Sequence, residues 1–309
     1  MRASFPLLGP AVGACALCAL VSTGCIETML TNGEIASTRE AAASFDTLGD
    51  YELAKVSTQA GLAQFEGMHR IAPTNDDALY LLVNGWGGYG WGFLEDEMEE
   101  AQMRGDDAGA EYAKKRAKMA YDRAIFYGLE LLSHTDKGFD AAKKNDVTLA
   151  KWLKENFESK ADAESLFWVA YAWMSRVNLL QDDPAMVADL YIGVDMMQRS
   201  FELEPTYYGS SPMVAMAAYH GRTADAEVAE ARKLFEQALV NTKRGALTVQ
   251  LTYAQFACTV ADKGLYTKLV DEILAADDPD PNQRLNNTIA KRRAARMKSP
   301  KRMLDCGFP

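Results

Sequence analysis

The chain has 309 residues, 48% of them hydrophobic and 25% charged, which is the composition of a globular protein with a sizeable core and excludes a disordered one. Its formal net charge of −10 excludes the basic surface that a sequence-independent nucleic-acid binder uses to displace phosphate counterions. No nucleic acid is expected among its partners.

The first 25 residues, MRASFPLLGPAVGACALCALVSTGC, place one arginine before an apolar run that ends in small residues, the layout of a bacterial secretion signal. The run is too short, and too rich in Gly, Pro and Ala, for a membrane span, which needs about 20 apolar residues. Val21-Ser22-Thr23-Gly24-Cys25 resembles a lipobox, with Ser22 where leucine is usual. Residues 1–24 are therefore expected to be a signal peptide and Cys25 the lipidation site, attaching the protein to a membrane through an N-terminal lipid. Ile26 supplies no retention signal of the aspartate type, so the expected address is the periplasmic side of the outer membrane. Residues 25–43, with Thr, Asn, Gly and Ser and little initial apolar periodicity, read as a tether. Residues 44–309 read as the folded domain.

From there the pattern is helical. DYELAKVSTQAGLAQFEGMHRIAP sets Leu53, Val56, Ala60, Ala63 and Met68 near one stripe and stops at Pro73. Thr74, Asn75 and Asp76 restart a helix with good N-cap chemistry and acids in its first turn. Similar signals recur to the C-terminus, and no stretch alternates as a strand between hairpin turns. Three segments, beginning near Gly49, Val187 and Ala226, read as a helix, a short turn and a second helix opening with apolar and aromatic residues. The expected fold is all-α, an array of antiparallel helical hairpins of the tetratricopeptide-like, α-solenoid kind.

The stretch Asn84–Phe93, NGWGGYGWGF, holds five glycines among four aromatic residues. On a helix, Trp86, Tyr89 and Phe93 share one face and Gly85, Gly88 and Gly92 the neighbouring one. Each interior glycine costs roughly 0.5–1 kcal/mol relative to alanine, so close approach of another helix or of a ligand has to compensate. A phosphate loop is the rival reading, but no strand precedes the glycines, no Lys-Ser/Thr follows them, and LEDE puts carboxylates where phosphate would sit.

Downstream, Phe167, Trp168, Tyr171 and Trp173 form a second aromatic helix, and Tyr207 and Tyr208 follow Pro205 at another junction. Aromatic residues at helical spacing fill cores, or, on the first helices of successive hairpins, line a shared groove or pore; both readings stand at this level. His69, His134 and His220 each end an expected helix, where a cation complements the dipole, and none has metalloenzyme spacing. With no nucleophile elbow and no histidine near Cys258 in sequence, the chain offers no catalytic set and no cofactor motif, and it reads as non-enzymatic. The acidic run Glu95–Glu100 reads as a solvated face or docking edge. The basic run Lys291–Arg302 complements a helix C-terminus or meets an acidic partner or lipid headgroups. Cys258 and Cys306 either pair in an oxidising compartment or remain thiols.

From about Ser44 onward the chain resembles the T component of TRAP (tripartite ATP-independent periplasmic) transporters, called TatT. The resemblance rests on Tyr89-Gly-Trp91-Gly-Phe93 with its acidic continuation, KKRAKMAYDRAIFYGLELL, LFWVAYAW, MQRSFELEPTYYG, ARKLFEQAL and the tail LVDEILAADDPDPNQRLNNTIAKRRAARM. It implies a lipid-anchored periplasmic protein that self-associates as a trimer and works with the transporter's solute-binding P component. It also implies a hydrophobic pore or groove passing an apolar, carboxylate-bearing small molecule to that partner. The expected lining is Trp86, Tyr89, Trp91, Phe93, Trp168, Tyr171, Trp173, Tyr207 and Tyr208. The competing expectation is a tetratricopeptide scaffold that assembles envelope proteins and carries no small ligand.

Overall fold

In a computed structural model, which describes residues 29–222 and 227–308, helix boundaries fall where cap chemistry puts them. The Asp50 carboxylate accepts from the Leu53 amide and opens α2 (Tyr51–Ile71), and the Asn75 side chain accepts from the Ala78 amide and opens α3 (Asp76–Tyr89). A π-helical turn, Gly90–Leu94, joins α3 to α4 (Glu95–Arg104) without a break. Gly105, at φ 72°, then turns the chain into α5 (Asp107–Thr135), a backbone conformation that glycine adopts without a Cβ penalty. The order continues through α6 (Phe139–Ala142), α7 (Asp146–Asn156), α8 (Asp162–Leu179), α9 (Pro184–Ala188), α10 (Leu190–Leu203) and α11 (Tyr207–His220). It ends with α12 (Val228–Asn241), α13 (Leu247–Thr259), α14 (Lys263–Ala275), α15 (Arg284–Met297) and α16 (Pro300–Asp305). Among the described residues the fold is all-α, as expected.

Neighbours in sequence are mostly neighbours in space. Helix α2 packs on α3, α8 on α10, α10 on α11, α11 on α12 and α13 on α14, while α5 bridges α3 and α8. One contact set departs from a linear array: α15 packs on α13 and α14 and also reaches α2, α4 and the 3-10 turn Ala43–Thr47. The last long helix therefore lies against the first ones, and the array closes on itself.

The signal peptide, Cys25 and residues 26–28 lie outside the described residues. The remainder of the expected tether differs from a linker: residues 29–42 form helix α1. Its Ile35 is 1% exposed, and Arg39 pairs with both Asp77 of α3 and Glu164 of α8. An apolar side chain with cover and a guanidinium with two carboxylates hold this segment on the domain.

The inward stripe of α2 is also not the one periodicity suggests. Leu53, Val56, Ala60 and Ala63 face outward; Tyr51, Ala54, Leu62, Phe65 and Met68 are buried. Two stripes compete on this helix, and the aromatic one buries more area per residue against its neighbours. Cys258, near the end of α13, and Cys306, just past α16, form a disulfide with Cα atoms 4.9 Å apart, which ties the C-terminal helix to the body.

Candidate functional site

The array holds a partly open cavity of about 470 Å³, a size typical of small-molecule sites. Its wall draws on α1, α2, α3, α8, α11, α13 and α15, so no single hairpin forms it. From α3 come Tyr80, Leu81, Asn84, Gly85, Gly88 and Tyr89. This is the stripe that a 3.6-residue period lays along one side of a helix. The thin side of the glycine-aromatic stretch, with Tyr89 at its edge, therefore faces the cavity.

The glycines divide into two uses. A methyl group at Gly88 would meet nothing within 4 Å, since that position opens on the cavity. At Gly90 it would lie 2.7 Å from the ring of fully buried Tyr121, at Gly92 3.0 Å from Ile289 of α15, and at Gly85 3.0 Å from Leu62 of α2. Both compensations expected from the sequence occur, at different glycines.

Of the nine aromatic residues expected to line a ligand site, Tyr89, Trp91, Phe93, Trp168, Tyr171 and Tyr208 line the cavity. The other three do not. Trp86 lies one residue, about 100°, round the helix from Gly85, where its Nε1 donates to Glu66 at 2.9 Å and Arg123 lies over its ring. Trp173 is turned toward α10, its Nε1 donating to the Asp189 carbonyl at 3.0 Å, with Phe139 packed against it. Tyr207 stands behind the wall: its hydroxyl accepts from Trp168 Nε1 at 3.1 Å and is 3.2 Å from the Tyr80 hydroxyl. It orients two lining residues. The π turn inserts one residue into the helical period and shifts everything beyond it by about 100° relative to a plain helical wheel. Trp91 and Phe93 thereby return to the cavity, and the acidic run swings toward α15.

That acidic run is buried at Glu95 and Asp96 and only partly exposed beyond them. Asp96 is 0% exposed and accepts from the Tyr51 hydroxyl at 2.9 Å, from Arg292 at 3.1 Å and from Arg296. Arg296 also holds Glu99 at 2.7 Å, and Arg292 holds Glu100. The acidic and basic runs, left unassigned in sequence, are partners within one chain. Burial alone would raise the Asp96 carboxyl, but Arg296 and Arg292 outweigh it and hold the group below the usual carboxylate range. Arg293, 4% exposed, donates to the Trp91 carbonyl at 2.6 Å and covers the Trp91 ring, connecting this cluster to the cavity wall. Beside it, burial pushes Glu95 upward against Arg293 and the Tyr121 hydroxyl, which donates to it.

Sequence patterns missed the polar end of the cavity. Tyr208, Gly209 and Ser210 sit in succession at φ 44°, 67° and 63°, a left-handed kink ahead of Pro212. For tyrosine this costs of order 1–3 kcal/mol and is found where a side chain must be aimed. Here the kink sends the Tyr208 hydroxyl to Asp46, to which it donates at 2.9 Å, while Asn286 Nδ2 donates to that hydroxyl at 2.9 Å. Burial raises the Asp46 carboxyl to about 6 against the lowering effect of the Tyr208 hydrogen bond. Nothing in ASFDTLGD marks Asp46 as special, because the three partners are 162 and 78 positions apart and meet only on closure.

Each histidine ends a helix and faces an acid: His134 lies 2.6 Å from Asp76, His220 2.6 Å from Glu227 and His69 4.0 Å from Glu130. Among the described residues no group of three or more His, Cys, Asp or Glu side chains is placed to hold a metal ion, and no helix is long and apolar enough to cross a membrane.

Fold and cavity together define a helical-array protein built around an aromatic-walled chamber. The model of the TRAP transporter T-component family matches residues 48–304, most of the chain, and the protein belongs to that family. It is thus an accessory component associated with a TRAP transporter. Comparison with curated proteins finds no match.

Proposed function

We propose that this T component binds an apolar small molecule in its central cavity and docks the solute-binding P component of its transporter, to which the molecule passes. The observation that carries the reading is the cavity of about 470 Å³, walled by Phe93, Phe167, Trp168, Tyr171 and aliphatic side chains from separate helices. A wall of this kind rewards an occupant that leaves water. Docking has support in Tyr112, Met119 and Phe126, each more than 60% exposed and spaced seven apart along α5, so that they form one apolar face. The P component, or a second copy in a trimer, fits such a face.

Native mass spectrometry of protein extracted from the envelope tests the ligand. An apolar molecule should co-purify, persist in Trp86→Ala, whose ring points away from the cavity, and be lost in Gly88→Leu, which extends a side chain into the cavity from a position where a Cβ meets nothing within 4 Å. A ligand-free protein holding a non-transporter partner would instead favour the scaffold reading.

We infer further that the protein is a periplasmic lipoprotein anchored through Cys25 to the outer membrane. The signal layout supports this, and so does the Cys258–Cys306 disulfide, which suits an oxidising compartment. Cys25→Ser should release the protein from the membrane fraction; unchanged retention there would rule out lipid anchorage.

A further inference from the structure

Four chain segments meet at one end of the array. Asn75 Nδ2, just before α3, donates to Asn32 Oδ1 of α1 at 2.9 Å, which sets the first turns of α1 beside the turn from α2 into α3. His134, at the end of α5, lies 2.6 Å from Asp76, and Arg39 joins Asp77 to Glu164 at the start of α8. Helices α2 and α5 therefore end here while α3 and α8 begin here, and their axes lead away from this end. Met29 and Leu30 of α1 and Ile71, the last residue of α2, are exposed on it by 77%, 70% and 73%.

The chain between these residues and the lipidation site is short. Cys25 precedes Met29 by four residues, and four residues span at most about 14 Å. Helix α1 adds nothing to that reach, because the Asn32–Asn75 hydrogen bond, the buried Ile35 and the two ion pairs of Arg39 fix it to the body. The tether thus ends at Met29 and not at residue 43. A domain of this length has a radius of gyration of about 19 Å, so a body held by so short a reach cannot turn its far side to the lipid.

Resting on the lipid anchorage proposed at Cys25, we propose that this end of the array is the membrane-contacting surface of the protein, with Met29, Leu30 and Ile71 set against the headgroup layer of the leaflet that holds the anchor. Apolar side chains at that boundary gain by leaving water. Charge does not drive the contact: Arg70 and His134 are offset by the exposed Glu34 and Asp76, and a net charge of −10 draws no general attraction from anionic lipid. The short tether and the apolar residues carry it. The same orientation lifts Tyr112, roughly 33 Å along α5 from His134, away from the lipid. The apolar face that begins there is left open to a protein partner.

The lipidated chain in vesicles of phosphatidylethanolamine and phosphatidylglycerol tests the assignment, carrying an NBD label on Ile71→Cys or on Tyr112→Cys, with lipid spin-labelled near its headgroup as quencher. Cys258 and Cys306 are paired, so the label goes to the added thiol, and both positions are exposed enough to accept it without disturbing the core. Ile71 is far from Cys25 in sequence and reaches the lipid only through the fold. Quenching at position 71 should be at least about threefold stronger than at position 112, given a contact layer about 5–10 Å deep and a separation of roughly 33 Å. Equal quenching at the two positions, or none at position 71, in protein that floats with the vesicles overturns the assignment while lipid anchorage stands. A label at position 71 shielded from water yet unquenched places a protein on this end instead, and overturns it as well. A chain that does not float with the vesicles, or floats equally well as Cys25→Ser, defeats the anchorage reading and the orientation with it.

Discussion

Replacing Asp96 with alanine should lower the unfolding free energy by about 3–5 kcal/mol, the cost of removing one partner from a buried ion pair. Arg296 and Arg292 would then keep only the more exposed Glu99 and Glu100 and lose the fully buried carboxylate between them, and the Tyr51 hydroxyl would lose its acceptor. The effect is large because the cluster joins residues about 200 positions apart, holding the last long helix against the first ones and closing the wall of the cavity. Urea unfolding of Asp96→Ala, Arg296→Ala and the double variant measures it; single losses below 1 kcal/mol would show that closure does not depend on this charge contact. The acid limb gives a second reading. Because the folded carboxyl titrates below its usual value, its stabilisation is complete at pH 7 and is lost only as the pH falls below about 4, through the folded value. Asp96→Ala should therefore flatten the stability profile in that window and leave its shape near neutrality unchanged.

Alanine at Gly90 and alanine at Gly88 should act with opposite signs, although the two glycines are neighbours in one run of sequence. At Gly90 the new methyl group would enter the Tyr121 ring, which cannot retreat because it is fully buried and its hydroxyl is bonded to Glu95. Overpacking of this kind costs about 1–3 kcal/mol, more than the gain in helix propensity. At Gly88 the methyl group enters open space, so only the propensity term of roughly 0.5–1 kcal/mol remains, and it stabilises. Melting temperatures of the two variants decide the matter: both falling would mean that the cavity side is packed, and both rising that Tyr121 gives way freely.

The same two residues show how much of the site could be read in one dimension. That the glycines allow close approach follows from their number and from the cost of each in a helix. Which glycine faces a ring and which faces space does not, because Tyr121, Ile289 and Leu62 come from three other helices. Trp86 was expected on the lining because Tyr89 and Phe93 flank it at helical spacing, yet the cavity faces the glycine stripe beside it. The π turn begins only at Gly90, so it re-aims the residues beyond it and has no part in the placement of Trp86.

What the sequence by itself determined is the local layer: helical period, caps at Asp50 and Asn75, the stop at Pro73, and the concentration of aromatic residues on helices that come to enclose a chamber. These depend on hydrogen bonds and side-chain spacings within a few residues, and so are written in adjacent letters. The family followed from whole motifs and is matched over residues 48–304. Only the tertiary structure decided that the acidic run binds the basic tail, that α1 belongs to the domain, that Cys258 pairs with Cys306, and that Asp46 meets Tyr208 and Asn286. Each of these unites groups far apart in the chain. Their burial, charge and hydrogen bonding are properties of the closed array, which no local window contains.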